Sequence, residues 1–199
     1  HGKVWIIVTS QEDIDKVMKV EGRNDFSKIQ GRFDTRLSLS SANVDEVIKK
    51  RILQKNETAN QTLAALYDNK STAVKNLVIF TDTMEMKLYS SGKDFASVYP
   101  FVPYQFILIQ KIFSEIRKHG AAGKHYSGAE RSMLDGFQIV AKSIEDKDEH
   151  AIAPLYPFYD SVHSFLDGSI RRVIERCQKA ADNHDGIEDY DVKVLKLLY

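Results

Sequence analysis

The segment Lys28-Ile-Gln-Gly-Arg-Phe-Asp-Thr-Arg-Leu-Ser-Leu-Ser-Ser41 contains the transitions on which the predicted fold depends. Residues 26–31 are expected to form a helical turn. Arg36–Ser40 then alternates apolar and polar side chains as a half-buried strand does, and the serines at its end are typical of a helix start. A helical turn, a short strand and a new helix in this order indicate an α/β unit.

A second predicted strand, Val4–Val8, is almost wholly apolar. Such a run suits a strand that is covered on both faces, as in a parallel sheet. One strand of this kind needs neighbours, and we therefore expect the chain to be a fragment of a larger protein. The polar residues Thr9 and Ser10 follow this strand, and Ser10 can cap a short helix over 11–20.

Helical spacing of apolar residues dominates the rest of the chain. The aromatic segment Tyr99–Phe106 is expected to be core, and a further helix is expected to begin near Val192. Residues 70–99 are ambiguous, and either a hairpin between 77–80 and 84–88 or irregular helix fits them. Helices are predicted over Asn43–Lys55, Ala59–Tyr67, Tyr104–Lys118, Ser127–Ile144 and Tyr156–Asp182.

The predicted fold class is therefore a small α/β remnant with parallel strands, followed by a mainly α-helical body, so that the chain is mostly α overall. We expect boundaries after residues 40 and 145, which gives the segments 1–40, 41–145 and 146–199.

The composition limits the functions that are expected of the chain. The 199 residues carry 28 basic and 28 acidic side chains, so the net charge does not favour binding to nucleic acid, although a local basic patch stays compatible with such binding. Cys177 is the one cysteine, which excludes an internal disulfide and favours a reducing, cytoplasmic setting. No apolar run reaches about 18 residues, so no membrane contact is expected. The histidines show no metal-ligand spacing, and no metal site is expected in the chain itself.

Polar residues next to the predicted strands are candidates for contact with a nucleotide. In a P-loop ATPase, a polar residue after a buried strand, such as Thr9 or Ser10, can reach the attacking water and sense the γ-phosphate. The alternative is that Ser10 is only a helix cap. The guanidinium of Arg32 can stabilise the charge that develops in phosphoryl transfer on a neighbouring subunit. The alternative for Arg32 is an ion pair with Asp34 or Glu46.

Arg131 lies in the first turns of a predicted helix. A cation is mildly unfavourable at a helix N-terminus, and a bound phosphate would offset that cost. The alternative is an ion pair with Glu130 or Asp135.

A basic helical face near the end of the chain is a candidate for contact with DNA. The alternative is a solvated face that Asp167 and Glu175 balance. Its members are Arg171, Arg172, Arg176 and Lys179.

In this order the elements resemble the C-terminal half of an AAA+ or STAND-like ATPase core. The amino-acid sequences of several segments are similar to those of one family, the large P-loop ATPase of the BREX phage-defence system (BrxC- or PglY-type). The segments that carry the resemblance are 3–12, 26–33, 99–106, 128–134 and 194–198.

The resemblance implies roles for individual residues. It places Thr9 and Ser10 at sensor 1, Arg32 at the arginine finger and Arg131 at sensor 2. The chain has Thr-Ser where the common AAA+ pattern has Asn after the strand, which leaves open which residue acts there. The first segment then corresponds to the end of the α/β core, the second to a helical lid, and the third to a helical extension that leads into a truncated winged-helix-like segment.

The resemblance also implies a function for the full-length protein. It would bind ATP and magnesium, assemble with itself, and act with other BREX defence proteins on DNA. The phosphate-binding motif G-x-x-x-x-G-K-[ST] does not occur in these residues, so the chain alone is expected to be inactive. The alternative function is that of a non-enzymatic helical adaptor whose aromatic segment binds a partner protein.

Overall fold

The computed structural model describes residues 4–8, 35, 44–80, 86–119 and 129–198. The chain divides into two units, His1–Asn43 and Val44–Tyr199, and the described helices all belong to the second. They are α1 (Val44–Arg51), α2 (Glu57–Leu77), α3 (Gly92–Val98), α4 (Pro103–His119), α5 (Ala129–Lys142), α6 (Tyr159–Val162), α7 (Gly168–Asp182) and α8 (Asp189–Leu198). The mostly helical character predicted from the sequence is confirmed.

The predicted strands are not found in the described part of the chain. Val4–Val8 lies in no helix or strand, and all of its side chains are exposed, Trp5 to 91%. An apolar strand becomes buried only where neighbours cover its faces, and no described residue pairs with this one. The second predicted strand, Arg36–Ser40, and the helix over 11–20 lie outside the described residues.

The first two helices differ in length from their predictions. The predicted helix Asn43–Lys55 ends at Arg51, and Asn56 caps the next helix. Asn56 has extended backbone angles, and its side chain accepts a hydrogen bond from the backbone N–H of Ala59 at 2.8 Å. A residue in this capping role cannot continue the preceding helix. The predicted helix over 59–67 extends to residues 57–77, with non-helical backbone angles at Lys70.

The ambiguous stretch 70–99 contains helix in most of its described residues. Residues 70–77 complete α2, and Ser91 caps α3 by accepting a hydrogen bond from the N–H of Asp94 at 3.1 Å. The hairpin alternative is not found in 77–80 or 86–88, which contain no strand.

The long helix predicted over Tyr156–Asp182 is wrong, because the chain breaks at Leu166. The 3₁₀ turns Tyr156–Phe158 and His163–Phe165 flank the short α6, and Leu166 then has extended backbone angles. Asp167 starts α7, and its carboxylate accepts a hydrogen bond from the N–H of Ser169 at 2.7 Å. The capping carboxylate stabilises the N-terminus of α7 and therefore fixes the break.

An aromatic cluster forms the centre of the core, as predicted for Tyr99–Phe106. Phe101, just before α4, and Phe106 of α4 meet Phe137 of α5 and Phe158 of the first 3₁₀ turn. Their ring centroids lie between 4.9 and 6.1 Å apart. All of these rings are at most 4% exposed. Aromatic side chains bury large apolar areas, so this cluster holds α4, α5 and the 3₁₀ turn together.

The buried amide of Gln105 connects the same elements by hydrogen bonds. Gln105 is 1% exposed. Its Oε1 accepts from the N–H of Val102 at 2.9 Å, and its Nε2 donates to the carbonyl of Ala153 at 2.9 Å. Gln105 is the third residue of α4 and reaches back to the residue before the helix, which is the second half of a capping box.

We predict that Gln105→Ala lowers the free energy of unfolding by about 2–4 kcal/mol, because it leaves a buried N–H and a buried C=O unpaired. Urea unfolding measures the change. Gln138→Ala, on the exposed side of α5, is the matched control and should change the value by less than about 0.5 kcal/mol. Equal effects of the two substitutions would contradict the role given to the Gln105 amide.

Gly92 permits the close approach of α3 to α2. A Cβ at Gly92 would lie 2.7 Å from the backbone oxygen of Ala64, whereas a Cβ at Gly168 would have no atom nearer than 3.8 Å. Both glycines are the first residue of a helix.

We predict that Gly92→Ala destabilises the protein by about 1–3 kcal/mol, because backbone must shift to make room. Gly168→Ala is the matched control and should be neutral or stabilise by up to about 1 kcal/mol, since alanine restricts the unfolded chain. Thermal or urea unfolding of both variants measures the difference, and a neutral Gly92→Ala would show that α2 and α3 are not closely packed there.

Candidate functional site

Arg131 is the nucleotide-contact candidate that the structure describes. It is the third residue of α5, and its side chain is exposed. The predicted alternative, an ion pair with Asp135, is not formed, and no hydrogen bond or ion pair joins Arg131 to another described side chain. The side chain of Glu130, the other alternative partner, lies outside the described part of the molecule. The guanidinium of Arg131 is thus uncommitted within the described residues.

The remaining nucleotide-contact candidates are Thr9, Ser10 and Arg32, and they lie outside the described residues. Their distances to each other and to Arg131 therefore stay predictions.

Three of the four side chains predicted to form the basic face of α7 are exposed. At about 100° per residue, Arg172, Arg176 and Lys179 fall within about 60° of each other around the helix, and all three are exposed. None of them forms an ion pair with another described residue, so the predicted balance by Glu175 is not made through direct contact. We call these three residues the basic stripe.

Arg171 has a different environment from the basic stripe. It is half-buried, and its Nε is buried without a hydrogen-bond partner in the described structure. Burial raises the pKa of the neighbouring Tyr159, and the positive charge of Arg171 acts in the opposite direction. Arg171 as a DNA contact stays a prediction.

The capping carboxylate of α7 is held in its charged form. Hydrogen bonds from the side chain and the backbone of Ser169 lower the pKa of Asp167, and the charges of Arg172 and Arg171 add to the effect. Asp167 therefore places its negative charge at the start of α7, where it interacts favourably with the positive end of the helix dipole.

Lys55 is a candidate that reasoning from the sequence missed. It lies in the link between α1 and α2 and is half-buried beside a cleft of about 260 Å³. Burial lowers its pKa to about 8. The local signal is weak: a lysine between an apolar pair and a helix cap. Besides residues 52–54 of the same link, the cleft residues come from 99–100 and 141–147, and only the folded chain brings these three segments together.

The chain matches no known protein-family model, and no solved structure matches it. Among the described helices, none combines the length and the apolar character that are needed to cross a membrane. The described histidine, cysteine and acidic side chains form no group of three or more that is able to hold a metal ion.

Proposed function

We propose that the chain is part of an oligomeric P-loop ATPase of the BREX phage-defence type, in which ATP binding and hydrolysis drive assembly or remodelling on DNA. In this proposal residues 1–40 are the end of an α/β core, and the helices that follow are its lid and an extension. Thr9 or Ser10 senses the γ-phosphate, Arg131 contacts the nucleotide of its own subunit, and Arg32 contacts that of a neighbour.

The observation that carries the proposal is the uncommitted guanidinium of Arg131. A guanidinium offers a planar fork of donors that fits two phosphate oxygens, and it stays charged at every physiological pH. Arg131 lies in the first turn of α5, where the helix dipole makes a nearby anion favourable. No anionic side chain of the described residues pairs with it. Such an arginine fits the sensor 2 role that the resemblance assigns to it.

The guanidinium groups of Arg131 and Arg32 fit the phosphate groups of ATP but supply no ligand for magnesium. Both would place positive charge beside the phosphates during transfer of the terminal phosphoryl group. Magnesium needs ligands from the phosphate-binding loop and an acidic strand, and that loop's motif is absent from the sequence. ATP turnover is therefore expected of the full-length protein and not of these residues alone.

We predict that Arg32→Ala lowers kcat for ATP hydrolysis by the full-length protein by at least about 100-fold, because a finger stabilises charge only in the transition state. Arg131→Ala should lower kcat/KM by about tenfold or more through weaker phosphate contacts. Steady-state ATP turnover measures both. Arg51→Ala, at the exposed end of α1, is the control and should turn over as wild type does.

Mixing experiments separate the two roles. Arg32→Ala subunits should inhibit wild-type subunits in mixed oligomers, because each one withholds its finger from a neighbour. Arg131→Ala subunits should only dilute the activity. Wild-type turnover by both variants would refute both assignments.

The aromatic segment on which the adaptor alternative is based is buried in its middle. Phe101, Val102 and Phe106 are at most 4% exposed, whereas Tyr99 and Pro100 at its start line a cleft. The adaptor alternative stays a prediction, and a partner would have to bind at the start of the segment.

Contact with DNA is supported by the basic stripe on α7. Exposed cations that lack an acidic partner are available to phosphates and release counterions when they bind. The chain carries no net charge, so this local surface, and not the overall field, would be responsible.

We predict that Arg172→Ala/Arg176→Ala weakens DNA binding and reduces the slope of log K against log salt concentration by about 2. Fluorescence anisotropy with duplex DNA over a salt series measures it. Lys75→Ala/Lys93→Ala removes the same charge from exposed sites on α2 and α3 and should leave the slope unchanged. Binding that is absent at about 50 mM salt would remove DNA contact by this chain.

A further inference from the structure

The amine of Lys55 lies beside a cleft and forms one hydrogen bond with the described residues. Its Nζ donates a hydrogen bond to the carbonyl oxygen of Leu53 at 2.9 Å. No carboxylate of the described residues forms an ion pair with it. A lysine that loses water without gaining a counter-ion is an unusual arrangement, because a charged amine is costly to bury unpaired.

The cleft beside Lys55 is mostly apolar and has room for a small molecule. Its volume of about 260 Å³ accommodates several non-hydrogen atoms. The polar side chains at its rim are those of Glu145, Lys147 and Gln54. Its walls come from the α1–α2 link, from the start of the aromatic segment and from the end of α5: Ile52, Leu53, Tyr99, Pro100, Ala141 and Ile144.

We propose that Lys55 is an acylation site, whose amine takes an acyl group from a small acyl phosphate that enters this cleft. The nitrogen lone pair attacks the carbonyl carbon and a C–N bond forms. The bond from that carbon to the phosphate oxygen breaks, and inorganic phosphate leaves with the electron pair. The proton lost by nitrogen passes to phosphate or water, so the products are an amide and phosphate.

The surroundings favour both the attacking amine and the product. Burial lowers the pKa of Lys55 to about 8, and a desolvated lysine of this kind is a stronger nucleophile at neutral pH because more of it is uncharged. At about pH 7.5 roughly a quarter of the amine would be neutral, against about a thousandth for an ordinary lysine. The amide product keeps one N–H for the Leu53 carbonyl, and its acyl group would lie against the apolar walls.

The folded protein is treated with acetyl phosphate at about pH 7.5, and acetylation of each lysine is followed over time by peptide mass spectrometry. Lys55 should react about tenfold faster than Lys75 and Lys93, which are exposed and lack a described partner. The expected gain is smaller than the gain in neutral amine over an ordinary lysine, because a less basic amine is intrinsically less nucleophilic. The rate of Lys55 should level off above about pH 8, where its amine becomes mostly neutral.

The same reaction in concentrated urea is the control for the cleft. Lys55 should then react at the rate of the other lysines, because the apolar walls are gone. A folded-state rate no higher than that of Lys75 and Lys93 overturns the proposal. A preference that persists in urea also overturns it, since the cause would then lie in local sequence. Neither outcome depends on whether the protein hydrolyses ATP.

Discussion

The side-chain amide of Gln105 is the constraint on which the helical unit depends. It ties the start of α4 to the segment after α5, through Val102 on one side and Ala153 on the other. A backbone bond from the N–H of Ala153 to the carbonyl of Pro100, at 2.8 Å, closes the same junction. Each group would cost about 1–3 kcal/mol if it were buried unpaired, so the two segments have little freedom to separate.

This junction positions both the aromatic cluster and the Lys55 cleft. It brings Phe101 and Phe106 against Phe137, and it brings Tyr99 and Pro100 opposite the end of α5. The cleft is therefore a consequence of the core. At about 1.5 Å per residue, Arg131 lies about 15 Å along α5 from Ala141, which lines the cleft. The two candidate chemistries thus occupy opposite ends of one helix.

Periodicity predicted α4 well, because Pro103 marks its first turn and apolar residues recur at helical spacing. It failed over 156–182, since the apolar spacing continues through two 3₁₀ turns and conceals the break at Leu166. The capping sequence Asp167-Gly168-Ser169 was the signal that would have located it. The Lys55 cleft was beyond prediction for a different reason: its walls are more than 40 residues apart in sequence, and nothing local connects residues 52–55 with 99–100 and 141–147.

The packing of α5 determines what phosphate binding at Arg131 would do. α5 packs closely against the first 3₁₀ turn and α6. A Cβ at Gly136 would lie 2.9 Å from the hydroxyl oxygen of Ser161, and Phe137 is fully buried. Close-packed interiors transmit strain and do not absorb it. If phosphate binding displaced the first turn of α5, we expect the helix to move as a unit and to transmit the displacement to the aromatic cluster and to the Gln105 junction. In the proposed ATPase, this connection would couple the helical lid to the nucleotide.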